Sequence, residues 1–407
     1  MVLKCDNFYK FEEYSGFALW LFTEKTGNKE ELDFMKTENF KNTLLDMLDS
    51  AGVKVDGNNP WDIKIHDERF YNRVLAQRSL GLGEAYMDGW WDCQKLDEFF
   101  YRIQRSQIDN KVKPGMLLLF EALFARVINM QAKSRAFQVG ERHYDLGNEL
   151  FVNMLDKLMI YSCGYWKDAQ TLDEAQANKL DLICRKLGLQ PGMKILDIGC
   201  GWSGLAKYAA EKYQVKVVGI TVSKEQVDLG KTFCEGLPIE IRLQDYRDVN
   251  EKFDRIVSVG MIEHVGYKNY RTYMDVVNRC LNDDGLFLLH TIGGDKSVTS
   301  VDPWMNRYIF PNGMLPSIKQ LGNAFEGVFV MEDWHNFSAD YDKTLMAWYR
   351  NLTGNWDKIK ANYNERFHRM WNYYLLSCAG AFRSRRIQLW QIVLAKHGIL
   401  GGYKSIR

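Results

Sequence analysis

Asp197, Gly199, Gly201 and Gly204 stand in the stretch LDIGCGWSGLAKY (196–208), between an apolar run and a helical pattern. The glycines spell G-x-G-x-x-G, the spacing with which a strand-to-helix turn brings backbone close to the pyrophosphate of a dinucleotide. Two features oppose that ligand. A dinucleotide site wants an acidic residue roughly 20 positions on, at the end of the second strand, to hold the ribose. Here that strand ends in Gly219-Ile220-Thr221-Val222-Ser223, with no carboxylate. Asp197 would also aim negative charge at the phosphates. A ligand bearing an ammonium and a sulfonium welcomes it, so D-x-G-x-G after a first strand reads as S-adenosylmethionine (SAM) binding. The bland alternative is a tight turn that needs glycine for its backbone alone.

The elements that position this loop follow from periodicity. Strand-like runs are MKILDIG (193–199), VKVVGITV (215–222), IEIRLQD (239–245), DRIVSVGM (254–261) and GLFLLHTIG (285–293), with helical stretches between them. Near-continuous apolar strands with helical crossovers predict a parallel sheet covered on both faces. FVMEDWHNF (329–337) and IQLWQIVLAKH (387–397) are expected as two further edge strands. The first 110 or so residues lack this pattern, and the polar stretch RSQIDNKVKPG (105–115) reads as an exit linker. The expected organisation is a small N-terminal domain over 1–112 and a catalytic domain over 113–407. A long amphipathic helix, MLLLFEALFARVINMQAKSRAF, opens the second part.

Composition sets outer bounds. A chain of 407 residues with 46% hydrophobic and 26% charged residues is ordinary globular material. Its net charge of +1 gives no global field for nucleic acid. The N-terminus carries Asp6, Lys10, Glu12 and Glu13 without an apolar core, so no signal peptide is expected, and no 18-residue apolar run spans a bilayer. The eight cysteines form no C-x-x-C pair. They suit buried thiols in a reducing cytoplasm, and no metal site is expected. Aromatic residues, 14% of the chain, cluster late. They read either as a large core or as the walls of a pocket.

Several stretches together carry a resemblance. HYDLGNELF (143–151), YSCGYW (161–166), ILDIGCGWSGLA (195–206), VVGITVSKEQ (217–226), QDYRD (244–248), DRIVSVGMIEHVG (254–266), FLLHTIG (287–293) and WMNRYIFPNG (304–313) resemble the cyclopropane-fatty-acyl-phospholipid synthases. EDWHNFSADYDKTLMAW (332–348) and CAGAFRSR (378–385) continue the match, and SLGLGEAYMDGWWDC in the front part resembles the bacterial, phospholipid-acting branch. The resemblance implies an α/β fold of the Rossmann-like class I SAM-dependent methyltransferases, with a predominantly parallel seven-stranded sheet plus a small N-terminal domain. It further implies a homodimer in the cytoplasm, peripherally associated with the inner face of the membrane.

The activity so implied is transfer of the SAM methyl to a cis double bond of an acyl chain in membrane phospholipid, closing a cyclopropane. An alkene is a poor nucleophile, so positioning must supply much of the rate. The cation left on the chain is stabilised by aromatic faces, which also keep out water. A buried base must then take a proton from the new methyl. In the resembled family Cys163, Glu263, His290, Tyr341 and the backbone of Ile292 hold a bicarbonate ion as that base, and Glu263 acts on it through His290. Cys378 is implied as an active residue, although the chemistry gives it no necessary role.

For the SAM co-substrate the resemblance carries Tyr161, Ser162, Ile195, Leu196, Asp197, Ile198, Gly199, Cys200, Gly201, Trp202 and Ser203. It also carries Thr221, Val222, Ser223, Lys224, Glu225, Gln226, Tyr246 and Arg247, with Thr221 and Gln226 facing the ribose. Each catalytic candidate has a plainer alternative. Glu263 would serve equally as a helix-start acid, His290 as a satisfied core histidine, Tyr341 as a core aromatic and Cys378 as a packing thiol. His264 is expected to point away from the reaction.

A lipid substrate calls for a docking surface. Arg126, Lys133 and Arg135 lie beside apolar residues, and Arg383, Arg385 and Arg386 cluster in FRSRRIQLWQ. Such runs suit anionic headgroups, or else a solvated helix face. Two other functions share most of these motifs: an acyl methyltransferase giving branched or methylene products, and a non-catalytic lipid binder with structural SAM.

Overall fold

The computed structural model describes residues 41–106 and 147–407. The boundary near residue 112, the linker beyond residue 106, and the long helix with Arg126, Lys133 and Arg135 lie outside them. In the larger part, seven strands form one sheet: β3 (Lys194–Ile198), β4 (Lys216–Thr221), β5 (Ile239–Leu243), β6 (Phe253–Val259), β7 (Leu281–Gly294), β8 (Val330–Asn336) and β9 (Ile387–Ala395). Their spatial order is β5-β4-β3-β6-β7-β9-β8. The first five in that order run parallel, and β9 pairs antiparallel with both β7 and β8. The sheet is therefore the mostly parallel, class I methyltransferase-like sheet of seven strands expected from the sequence.

One expectation is corrected. IQLWQIVLAKH is not an edge strand: β9 lies between β7 and β8 and bonds along both sides. Its composition already favours that place, since Leu389, Ile392, Val393 and Leu394 are all fully buried. Successive residues of the central strands feed opposite cores. Ile256, Phe287 and Leu289 face one layer, while Val257, Leu286 and Leu288 face the other. Burial on both faces is what the absence of polar alternation in these strands encodes.

Chain order reverses between β3 and β6, because β4 and β5 build outward on one side of β3 before β6 returns to the other. Ligands of open α/β sheets bind outside the carboxyl ends of strands at such a switch point. The segments that cap this end are α5 (Leu172–Lys186), α6 (Gly204–Tyr213), α7 (Lys224–Phe233), α8 (Ile262–Val265), α12 (Ala339–Ile359) and α13 (Glu365–Arg383). Before α5 comes the short α4 (Asn148–Met154), and between α8 and α12 come α9 (Tyr270–Cys280), α10 (Pro303–Tyr308) and α11 (Ile318–Phe325). A capping box between Thr171 and Glu174 starts α5, and the Ser223 side chain accepts from the Gln226 amide to start α7.

The described front segment contains α1 (41–50), β1 (Ile63–Ile65), α2 (Arg69–Met87), β2 (Trp91–Cys93) and α3 (Leu96–Arg105). Its two short strands pair with each other, apart from the main sheet. Its apolar side does not close on itself. Trp91, Phe99 and Phe100 share one core with Trp371, Tyr373 and Leu375 of α13. The Tyr373 ring lies 4.5 Å from Trp304 and 5.1 Å from Phe100. Arg369 donates to the carbonyl of Trp91 at 3.0 Å and to Asp92 at 2.7 Å.

A close backbone approach is at Gly380 of α13. A Cβ there would lie 2.7 Å from the Asp97 carbonyl oxygen, the Phe100 Cβ and the Tyr101 nitrogen of α3. Two of those atoms are backbone and cannot swing aside. Gly380→Ala is therefore expected to pry α3 from α13 and cost about 1–3 kcal/mol, the usual penalty of overpacking. Urea unfolding checks the cost, and limited proteolysis should cut the front segment first.

Candidate active site

The glycine loop closes the carboxyl end of β3 and lines a cleft at the switch point. Gly199 has φ 81° and Gly201 φ 55°, conformations that favour glycine. Gly204 is required for space, since a Cβ would stand 2.2 Å from the carbonyl oxygen of Leu158. Ser203 also adopts a left-handed backbone, φ 71°, and its hydroxyl packs against Gly230 of α7, where a Cβ would approach it to 2.6 Å. A serine thus occupies a glycine-favouring backbone position, and the bare Gly230 leaves room for its hydroxyl.

Of the residues expected to hold the cofactor, Tyr161, Ser162, Asp197, Ile198, Gly199, Cys200, Gly201, Trp202, Thr221, Val222, Ser223, Gln226, Tyr246 and Arg247 line this cleft. Ile195, Leu196, Ser203, Lys224 and Glu225 do not. Ile195 and Leu196 spend their side chains on the two cores, and Lys224 and Glu225 lie on the exposed side of α7. Thr221 Oγ donates to Gln226 Oε1 at 2.7 Å, which fixes the amide that was assigned to the ribose. Lys179, Gln244, Asp245, Met261 and His264 also line the cleft and were missed or misplaced. Asp245 was within reach of the sequence, since QDYRD ends the third strand. It clasps Arg247 at 2.8 Å, so the two enter the cleft as one neutral unit.

Asp197 is the charge centre. Its Oδ2 is buried without a hydrogen-bond partner, and burial pushes the carboxyl up to about 7. A buried carboxylate with no donor is costly unless a ligand brings one. An ammonium group supplies it, so this cleft fits the ammonium at the amino-acid end of SAM far better than a pyrophosphate.

The expected catalytic residues gather just behind the cleft. Glu263 lies on α8 after β6, beside His264, which lines the cleft itself. Its Oε1 accepts from the Ile292 amide at 2.8 Å, and its Oε2 is buried and unpartnered. Burial raises the Glu263 carboxyl to about 7. His290 sits two residues before Ile292 on the same face of β7. Gln391, its cross-strand partner on β9, stands 3.3 Å from Nδ1, while Nε2 is buried and unpartnered. Burial drives His290 well below its ordinary pKa, so the ring is neutral.

Tyr341 near the start of α12 is buried and stacks on Phe382 at 4.4 Å. Cys163, Tyr161, Glu263 and Cys378 surround it, and burial pushes its phenol well above the ordinary value. Cys163 is fully buried, and the Thr344 hydroxyl lies 3.9 Å from its sulfur while donating to the Asp340 carbonyl at 2.8 Å and receiving the Gly164 amide at 3.0 Å. Burial holds both thiols neutral: Cys163 is raised well above its ordinary value and Cys378 to about 12. Neither is a nucleophile in this state. Glu263 and His290 spend these hydrogen bonds on Ile292 and Gln391, not on each other. His264, expected to point away, is buried at the cleft, and burial lowers it to about 4.

Rings wall this region. Tyr161 lies 5.2 Å from Trp348, and its hydroxyl donates to that of Tyr374 at 2.8 Å. Phe151 lies 4.8 Å from Trp202. The late aromatic residues are thus both core and wall. Of the basic cluster assigned to docking, Arg383 is spent elsewhere. It reaches Asp342 at 2.9 Å, Asp97 at 2.8 Å and Glu98 at 3.3 Å, tying α13 to α12 and to the front segment. Arg385 is exposed. Among the described residues no helix is long and apolar enough to cross a membrane.

Residues 131–392 match the family described as mycolic acid cyclopropane synthetase. Over 370 residues the chain is 54% identical to the cyclopropane-fatty-acyl-phospholipid synthase of Escherichia coli strain K12, covering 91% of this chain and 97% of that one. It is 40% identical over 267 residues to a probable fatty acid methyltransferase of Pseudomonas putida, covering 62% and 68%. Among solved structures, the cyclopropane synthase MmaA2 of Mycobacterium tuberculosis superposes with TM-score 0.60 at 34% identity, over 64% of this chain and 98% of that one. The mycolic acid cyclopropane synthase CmaA1, complexed with SAH and CTAB, gives TM-score 0.59 at 34% identity, over 63% and 97%.

The raised carboxyl of Glu263 has a consequence for stability. Unfolded, it loses its proton near pH 4.5, and folded near 7. Between those values the folded chain binds the extra proton, so stability falls as pH rises through this window. Glu263→Gln keeps an acceptor for Ile292 and cannot ionise. Its stability relative to the native protein should grow from about pH 4.5 to about 7, by up to about 3 kcal/mol, then level off. Urea titrations at a series of pH values check this; a flat difference would contradict the burial assignment.

Proposed function

This chain belongs to the mycolic acid cyclopropane synthetase family, and we propose that it converts cis double bonds in the acyl chains of membrane phospholipid into cyclopropanes, with SAM as methylene donor. The 54% identity to a cyclopropane-fatty-acyl-phospholipid synthase extends through the front segment, which supports phospholipid over mycolic acid as substrate. The carrying observation is structural. Glu263 Oε2 and His290 Nε2 are both buried and unpartnered beside a cleft whose own carboxylate, Asp197, also has one unpartnered oxygen.

The alkene π electrons form a bond to the SAM methyl carbon as the carbon–sulfur bond breaks, leaving S-adenosylhomocysteine and a cation on the chain. Loss of one proton from the new methyl returns its electron pair to the cationic carbon and closes the ring. The protein must therefore orient two substrates, hold off water and accept a proton in an apolar place. Asp197 and the glycine loop bind the amino-acid end of SAM, and Thr221 with Gln226 orient the nucleoside. Tyr161, Trp348 and Tyr341 offer ring faces to the cation, each worth about 0.5–2 kcal/mol.

The two unpartnered atoms fit a small anion that both accepts and donates hydrogen bonds. Bicarbonate is such an ion; Cys163, Glu263, His290, Ile292 and Tyr341 would hold it, and when bound it supplies a proton acceptor. Neutral His290 and half-protonated Glu263 are both able to donate to an anion at neutral pH, which a pair of fixed carboxylates would not be. The Ile292 amide, now committed to Glu263, would be shared or released. Cys378 is proposed as packing beside Tyr341 and Tyr374. The membrane surface is reached without the Arg383 guanidinium.

Incubation with SAM and vesicles of cis-unsaturated phospholipid, followed by NMR of the recovered acyl chains, should show cyclopropane protons. A methyl branch or an exocyclic methylene would instead place the chain with the fatty acid methyltransferases. Glu263→Ala should lower turnover by about 10²–10⁴-fold, with affinity for S-adenosylhomocysteine close to native. Removal of dissolved carbonate should slow the native protein and added bicarbonate restore it. Indifference to carbonate would assign the proton to a side chain.

A further inference from the structure

Lys179 is a charged residue that no motif predicts at this site. It lies on α5 and lines the SAM cleft, yet is only 1% exposed. Its ammonium makes a single hydrogen bond, to the Ser162 hydroxyl at 3.0 Å. One turn earlier on the same face, Gln176 donates to the Ser162 carbonyl at 2.8 Å. Helix α5 thus holds Ser162 from both sides and places a buried cation beside it.

That cation has no counter-ion. Asp156, the acid whose charge acts on it most, spends both oxygens on backbone amides, those of Ile160 and Leu158, each at 2.9 Å. Asp197 lines the same cleft with one oxygen unpartnered, but no ion pair or hydrogen bond joins it to Lys179. Two opposite charges in a low-dielectric cleft attract strongly. Kept apart, each is left undersatisfied, and the cost is recovered when a ligand with both signs of charge fits between them. The ammonium also retains two unused N–H bonds, since a lysine carries three.

We propose that Lys179, with Ser162, binds the α-carboxylate of the methionine moiety while Asp197 binds its α-ammonium, so that the pair recognises the zwitterionic amino-acid end of the co-substrate. The inference rests on the SAM reading of the cleft and adds a residue and a selectivity to it. It explains why a helix otherwise packed in the core carries a lysine inward. It also makes the site selective: adenosine ligands without the carboxylate leave the cation buried and unpaired.

The test compares two ligands that differ only in that group, S-adenosylhomocysteine and its decarboxylated form, S-adenosyl-3-thiopropylamine, by calorimetry on the full chain. The native protein should prefer the carboxylate ligand by about ten- to hundredfold, the range of one charge-assisted hydrogen bond in a buried site. Lys179→Met, of similar length and apolar, should lose that preference by weakening S-adenosylhomocysteine alone. Equal affinities in the native protein would overturn the assignment without any variant, so it stays testable if Lys179→Met does not fold. A variant that loses both ligands to the same degree would also overturn it, reducing Lys179 to a tether for Ser162. Failure of the native protein to bind either ligand would overturn the SAM reading itself, and the lysine assignment with it.

Discussion

Keeping ionisable groups dry and unpaired is the constraint on which this structure turns. Asp197, Glu263 and His290 each bury a polar atom with no partner, and Lys179 buries an ammonium with one. Each is a standing cost to folding. They are tolerated because the surrounding layers are packed from both sides: β3, β6 and β7 are covered on both faces, and α12 and α13 close the open end with rings. A looser fold would admit water to these atoms and lose the chemistry with the strain.

The same constraint explains the antiparallel turn at one side of the sheet. His290 and Ile292 lie near the end of β7, where an edge strand would expose them. Insertion of β9 beside β7 buries His290 and sets Gln391 against its Nδ1. With Nδ1 facing the amide, Nε2 is left as the atom turned to the site. The front segment contributes from further away. Its apolar surface rests on α13, the helix that carries Cys378 and Phe382 and through Phe382 backs the Tyr341 ring.

Local spacing made part of this legible in the sequence. The glycine loop and Asp197 are neighbours in the chain, and the absence of an acid after the second strand excluded a dinucleotide before any fold was known. Glu263, His290 and Tyr341 were reached through resemblance, since three separate loops bear them and no spacing relates them. The position of β9 was not legible, because strand order is set by non-local pairing; only its apolar composition hinted that it was no edge. Arg383 misled for a related reason. Beside Arg385 and Arg386 it reads as a basic patch, while the carboxylates that neutralise it come from Asp97, Glu98 and Asp342, remote in sequence.

Lys179 marks the limit of such reading most clearly. In DEAQANKLDLICRK a lysine amid polar residues is assigned to solvent by default, since lysines are almost never fully buried unless paired. Its neighbours say otherwise only when the helical face is drawn: Leu172, Ala175, Gln176, Leu180 and Ile183 are buried with it. A lysine on an apolar face, with a glutamine one turn before it, is a local inconsistency of the kind expected at functional sites rather than in cores. The structure supplies the other half of the argument, the unpaired Asp197 across the cleft. Neither charge alone specifies a ligand. Together, held apart by a rigid helix and the end of a parallel strand, they describe the shape of a zwitterion.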